Sequence, residues 1–231
     1  MQRLDKILSE AGAGSRKELK KWIRSGAVQV NGRTVTDEAQ KLDETQAQIT
    51  LFGTEVELYH PVLLMLHKPG GYVTSTEEHD GPCVMELLPP RFLRLKVFPV
   101  GRLDKQTEGL LLFTNDGALA HKLLSPRSGV WKEYYAEHEG QASDEDVQAF
   151  REGLVLSDGT RCLPARLLPQ GAGKSLVQVQ EGKYHQVRRM LAARGMPVRY
   201  LKRLSEGPLT LGELPSGCCK ELDLDSLNGF L

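Results

Sequence analysis

The 231-residue sequence predicts an α+β chain: a small basic unit of two helices and a hairpin, then a larger unit on a mixed, mainly antiparallel sheet with flanking helices. Three observations predict it. Leu4, Ile7 and Leu8, then Leu19, Trp22 and Ile23, recur at helical spacing. Asn31-Gly32 stands between alternating strand residues, the strongest short hairpin signal. Beyond about residue 60, short apolar runs alternate with amphipathic segments and Gly-containing turns.

The first helix is read over residues 3–10, ended by Gly12 and Gly14. Ser15 opens the second: Ser15-Arg16-Lys17-Glu18 is a capping-box pattern, with Gly26 as the C-terminal stop. Val28 to Val35 forms the hairpin, and a strand fits residues 48–52. Residues 53–61 read as the connection, so the expected domains are 1–59 and 60–231. In the second, strands are expected at 62–67, 97–100, 109–114, 131–138, 163–168, 175–180, 198–201 and 209–211. Helices are expected at 118–124, from Ser143 through Arg151, and at 185–194. No repeat or low-complexity tract interrupts them.

Composition narrows the class. Hydrophobic residues at 40% and charged residues at 26% suit a globular chain with a sizeable core. The charged start leads into no apolar signal segment, and the longest apolar runs are far too short to span a bilayer. Cys83, Cys162, Cys218 and Cys219 form no C-x-x-C, which argues against a zinc site or disulfide framework and for a reducing cytoplasm. The net charge is zero, yet it is segregated. Residues 1–33 carry eight Lys and Arg against three acids, and residues 183–203 carry seven and no acid. Two basic patches are the expectation, and they suit a nucleic-acid partner.

The chemistry-bearing stretch is Gly101-Arg102-Leu103-Asp104-Lys105-Gln106-Thr107-Glu108-Gly109, followed by Leu110-Leu111-Leu112-Phe113-Thr114-Asn115-Asp116. It places a carboxylate, Asp104, in a charged loop between two apolar strands, where rigid flanks hold a reactive group well. Taken alone, Asp104 could equally make an Asx turn or pair with Arg102. Gly171-Ala172-Gly173-Lys174-Ser175 resembles part of a nucleotide-binding loop, but Leu168 stands where a glycine is needed and a strand follows. His67, His79, His121 and His185 show no metal-ligand spacing.

These sixteen residues resemble the signature of the RsuA family of pseudouridine synthases, G-R-L-D-x-x-[ST]-x-G, an apolar run, then [ST]-[ND]. Lys132-Glu133-Tyr134 resembles the family's K-x-Y, and residues 181–190, Glu-Gly-Lys-Tyr-His-Gln-Val-Arg-Arg-Met, resemble its third motif. The N-terminal unit resembles an S4 RNA-binding domain. The resemblance implies Asp104 as catalytic carboxylate, Tyr134 packed on the target base and Arg188 paired with Asp104. It adds Arg102, Lys132, His185 and Gln186 at the substrate. Arg16, Lys17, Lys20 and Lys21, with Arg24, are expected to meet phosphate. The Tyr-His-Gln form resembles the branch acting on small-subunit (16S) ribosomal RNA.

The implied reaction breaks the N1–C1′ bond of a uridine, turns the uracil and rejoins it through C5. The base must leave its stack, and an aromatic face recovers part of that cost. No step requires redox, metal or phosphate energy, so no cofactor is expected. The expected partner of this monomer is ribosomal RNA or the assembling small subunit, with no membrane. Three alternatives stand beside this reading: the same chemistry on 23S RNA, a non-catalytic S4-type assembly protein, and a glycosidase using Asp104 with Glu108 or Asp116.

Overall fold

The computed structural model describes residues 1–43, 47–56, 58, 61–76, 81–125 and 128–227; His79 and the 59/60 division lie outside them. The chain forms two compact units, Met1–Pro61 and Val62–Leu231. No described helix is long and apolar enough to cross a membrane.

The first unit runs β1 (Gln2–Arg3), α1 (Leu4–Glu10), α2 (Arg16–Arg24), β2 (Val28–Val30), β3 (Arg33–Val35), β4 (Lys41–Leu42), β5 (Ile49–Leu51) and β6 (Thr54–Glu55). The capping box forms: the Ser15 hydroxyl accepts from the Glu18 amide at 3.4 Å, and the Ser15 amide donates to the Glu18 carboxylate at 3.0 Å. Such a cap stabilises a helix by about 1 kcal/mol. The β2–β3 turn has φ 49° at Asn31 and 77° at Gly32, the two positive angles a tight hairpin needs. Leu4, Ile7, Leu8, Leu19, Ile23, Val28 and Ile49 close the core with no or almost no exposure.

Residues 53–61, read from sequence as a connection, hold a strand instead. β6 folds back on β5 in the order β3-β2-β5-β6. Its turn, Phe52 at φ 51° and Gly53 at 79°, has the same handedness as Asn31-Gly32. A bulky residue at the first position hides that signal, because phenylalanine is uncommon there. The exposed Phe52 ring meets Trp22 edge-on at 5.5 Å.

The second unit runs β7 (Leu63–Lys68), α3 (Pro90–Arg94), β8 (Phe98–Val100), β9 (Glu108–Thr114), α4 (Gly117–Leu124), β10 (Lys132–His138), α5 (Asp144–Glu152), β11 (Arg166–Pro169), β12 (Lys174–Val179), α6 (Gln186–Ala193), β13 (Val198–Glu206), β14 (Leu209–Thr210) and β15 (Cys219–Leu222). The described strands lie in the order β11-β12-β10-β13-β9-β7-β15, with β14 on β13 and β8 on β9. Among them only β13 and β9 pair in parallel.

β7 and β9 are buried on both faces, which is why they read as unbroken apolar runs. Leu64, Leu66, Leu111 and Phe113 join one cluster with Phe92 and Val84, whereas Leu63, Met65, Leu110 and Leu112 join another with Ala120 and Leu123 of α4. A third cluster places Phe150 of α5 and Met190 of α6 against Ala136, Val177 and Leu201. Tyr134 touches both the α6 cluster and the Phe92 cluster, so it stands where the two meet.

Several elements of this unit differ from the sequence expectation, among them β11, which runs from Arg166 to Pro169 rather than over 163–168. The sheet does not finish at 209–211, because β15 adds an edge along β7. Its sequence, Cys-Lys-Glu-Leu, is too polar to announce a strand. α3 was not expected, although Pro90 sits at a favoured first-turn position. β13 continues to Glu206, well past 201, because Arg203 and Glu206 are interior residues rather than a solvated end.

Candidate active site

Asp104 lies in the loop between β8 and β9, held at both ends by backbone geometry. Gly101 turns at φ 76°. Gly109 has φ 105°, and a Cβ there would sit 2.2 Å from the Arg203 carbonyl oxygen. The parallel approach of β13 therefore requires glycine at 109.

Further contacts hold the loop from the end of β7 and the stretch after it. Lys68 is fully buried, and its ammonium donates to the carbonyls of Pro69 (3.0 Å), Lys105 (3.0 Å) and Thr107 (2.8 Å). Burial draws its pKa down to about 8, against the attraction of Glu108 and Asp104. Thr74 accepts from the Leu103 amide at 3.2 Å and donates to the Leu103 carbonyl at 2.9 Å. The sequence reading missed both residues. For Lys68 a signal existed: a cation ending a buried apolar strand, followed by Pro-Gly-Gly.

Around the Asp104 carboxylate stand groups from α6 and its own loop. Arg188 Nε is 3.7 Å from Oδ2, His185 Nε2 is 3.4 Å from Oδ1, and Thr107 donates to Oδ2 at 3.5 Å. Arg188 Nη2 also donates to the Thr107 hydroxyl at 3.5 Å. These contacts are long, as catalytic contacts often are before substrate tightens them. The carboxylate keeps 29% of its side-chain exposure, so it is open to a ligand. Asp104, Arg102, Tyr134 and His185 line one cleft with Leu103, Thr107 and Lys183.

The turn before α6 is built by its own polar side chains. Glu181 Oε1 accepts from the Leu163 amide at 2.8 Å and from Gln186 Nε2 at 2.7 Å, while Gln186 Oε1 accepts from the Lys183 amide at 2.9 Å. His185 caps α6 in the left-handed region, φ 47° and ψ 35°. That conformation is uncommon for a non-glycine residue and persists because the neighbours fix it.

Two residues expected at the substrate, Gln186 and Lys132, also carry scaffold contacts, and Gln186 lines the Asp104 cleft as well. Gln186 is nearly buried and spends both ends of its amide on the turn. Lys132 is buried, its ammonium 3.8 Å from Glu206 Oε1, and burial lowers its pKa. It lies on the same strand face as Tyr134, in the sheet interior. Arg203 shares that interior: Nη2 is 3.2 Å from Glu206 Oε2 and Nε donates to the Leu110 carbonyl at 2.7 Å. Burial also raises the Tyr134 phenol pKa, with Arg203 opposing.

The second basic patch is largely neutralised. Lys183 pairs with Glu181 at 2.9 Å, Arg189 with Asp158 at 2.6 Å, Arg194 with Asp146 at 2.6 Å and Arg199 with Glu139 at 3.2 Å. Acids outside the run supply the partners, three of them distant in sequence, so the acid-free run 183–203 does not make a free cationic surface.

In the first unit, Arg3, Asp5, Lys6, Arg16, Lys17 and Lys20 line a concavity between α1 and α2. Lys21 is not among its lining residues, and Arg24 is paired with Glu38 at 2.5 Å.

Similarity to known proteins gives the class of the molecule, an RNA-modifying isomerase. Residues 62–193 match the RNA pseudouridylate synthase family, and residues 2–47 match the S4 domain. The chain belongs to the RNA pseudouridylate synthase family and is an RNA pseudouridine synthase with an N-terminal S4 domain. It is 40% identical over 231 residues to the RNA pseudouridine synthase YtzG of Bacillus subtilis, covering 98% of this chain and 97% of that one. It is 36% identical to the ribosomal large subunit pseudouridine synthase B of the same species, covering 96% and 92%. A crystal structure of a pseudouridylate synthase superimposes with a TM-score of 0.71 at 29% identity over the full length of both chains.

Proposed function

We propose that this synthase isomerises one uridine of small-subunit ribosomal RNA, with Asp104 as the catalytic carboxylate. The observation that carries the assignment is Asp104 held open between Arg188, His185 and Thr107 in the cleft that Tyr134 lines. The target base leaves its stack and rests on Tyr134. The N1–C1′ bond breaks, C1′ bonds to C5, the C5 proton is lost and N1 gains one. Atoms balance without a co-reactant. Arg188 and His185 face the carboxylate that attacks or takes a proton and fix its orientation, and Arg102 meets the RNA beside it. The reading includes a monomer working in the cytoplasm on ribosomal RNA or the assembling subunit.

The Tyr184-His185-Gln186 form supports the small-subunit choice. The relative that acts on the large subunit favours 23S RNA as the second reading. Incubating the protein with both RNAs and mapping pseudouridine by carbodiimide-dependent reverse-transcription stops decides between them. One new stop in 16S RNA is expected; a stop confined to 23S RNA would move the assignment.

The first unit holds RNA by charge in this proposal. Lys17→Glu with Lys20→Glu, both in the α1–α2 concavity, is expected to weaken binding and to flatten the plot of log affinity against log salt. Two lost phosphate contacts correspond to roughly 1.4–1.8 in slope. A titration series from low to high salt measures it, and an unchanged slope would take the concavity off the RNA path.

A further inference from the structure

Tyr184 is the most exposed tyrosine-sized apolar surface beside the cleft, with 75% of its area open. An exposed aromatic on a mobile segment would carry little meaning, but this one is fixed. Its ring stacks on His185 with centroids 3.9 Å apart and planes 14° from parallel. His185 in turn reaches Asp104, 3.4 Å from Nε2 to Oδ1. The Tyr184 carbonyl accepts from Arg189 at 3.3 Å, and the Glu181–Gln186 hydrogen bonds close the turn on its other side. Two parallel rings therefore lead outward from the carboxylate, the outer one presenting a free face. Their spacing is close to the ~3.4 Å repeat of stacked nucleotides.

Tyr134 is already committed to the target base, and it stands inside the cleft where the two apolar clusters meet. Tyr184 stands outside, on the rim. A nucleotide chain with one base turned into the cleft leaves its neighbour unstacked on one side, and that neighbour needs a flat apolar partner. The exposed guanidinium of Arg102 lines the same cleft and suits the phosphate between the two.

We propose that Tyr184, backed by His185, is a second base subsite that stacks the nucleobase flanking the target uridine. This inference rests on the isomerase reading of Asp104 and deepens it: the substrate is recognised as at least two unstacked nucleotides. Stacking accepts any base, so the subsite contributes affinity and register more than sequence choice. The left-handed backbone of His185 has a role here, since it aims the imidazole at Asp104 and leaves its other face to Tyr184.

The test uses the full-length protein with 16S and 23S transcripts carrying [5-³H]uridine, which release tritium when C5 bonds to C1′. Tyr184→Ala, Tyr184→Leu and Tyr184→Phe are compared with wild type. Alanine is expected to raise KM by about tenfold and leave kcat within about twofold; phenylalanine restores KM and leucine does not. An unchanged KM for Tyr184→Ala, or equal rescue by leucine, overturns the subsite while wild-type release upholds the isomerase reading. No release by wild type from either transcript or from immature ribosomal particles carrying the same label overturns the ribosomal-RNA reading itself and the subsite with it.

Discussion

Asp104→Asn is expected to abolish pseudouridine formation while RNA affinity stays within about twofold of wild type, since the lost charge makes no phosphate contact. The substitution keeps the shape of the side chain and a hydrogen-bond acceptor for Thr107, 3.5 Å away. What it removes is the negative charge that Arg188 and His185 face. The size of the loss reports the role. A positioned general base contributes about 10²- to 10⁴-fold. Loss of a covalent nucleophile costs up to about 10⁶-fold. Single-turnover tritium release from [5-³H]uridine RNA, with binding measured in parallel, separates these. Activity within tenfold of wild type would take Asp104 out of the chemistry. A parallel collapse of binding would make it a structural residue of the loop.

The parts of the fold legible in the sequence were those fixed by local chemistry. Ser15 with Glu18 and Asn31 with Gly32 each announce one conformation, and each forms it. The two faces of β7 were not legible, because a run such as Leu63-Leu64-Met65-Leu66 has no alternation to say which cluster each residue joins. β15 was hidden for the opposite reason: only Cys219 and Leu222 pack on the core, and the polar Lys220-Glu221 between them masks an edge strand paired with β7. The Phe52-Gly53 turn was missed because its backbone overrides the usual preference of the side chain.

The candidate site divides in the same way. Asp104, Tyr134, Arg188 and His185 sit in motifs whose spacing is intact, and the structure brings all four to one cleft or its wall. Charge was the less reliable guide. The cations of 183–203 look free when read along the chain, yet Asp146, Asp158 and Glu139 reach them across the fold. Lys132 and Gln186, expected at the substrate by motif position, carry scaffold contacts that motif position does not announce, and Gln186 lines the cleft as well. Lys68 and Thr74 were passed over because a lysine and a threonine acquire their purpose only when a distant loop is folded onto them.

Arg203→Met is expected to be the most destabilising of the substitutions considered. Arg203, Glu206 and Lys132 form a buried charge group: the guanidinium and the carboxylate have 2% and 0% of their side-chain surface exposed, and the ammonium 8%. Burial alone would lower the Arg203 pKa, but Glu206 and Tyr134 together outweigh it and raise the pKa, so the guanidinium stays charged. Methionine fills much of the same volume. It leaves the Leu110 carbonyl without its donor and Glu206 with only Lys132, at 3.8 Å. Breaking a buried pair from one side costs about 3–5 kcal/mol, chiefly because the remaining charge is uncompensated. In a unit of this size that lowers the melting midpoint by roughly 6–20 °C. Denaturant unfolding of wild type, Arg203→Met and the double variant Arg203→Met/Glu206→Leu tests the cause as well as the size. If the uncompensated carboxylate is responsible, the double variant recovers part of the loss: no anion is left buried, and Lys132, whose pKa burial already lowers, can shed its proton once Glu206 is gone. If it is no more stable than the single variant, the Leu110 hydrogen bond and packing around β9 account for the effect. A single variant within 1 kcal/mol of wild type would show that water or a rearranged Lys132 satisfies Glu206, and the buried group would then hold neither the sheet nor the floor beneath Tyr134 in place.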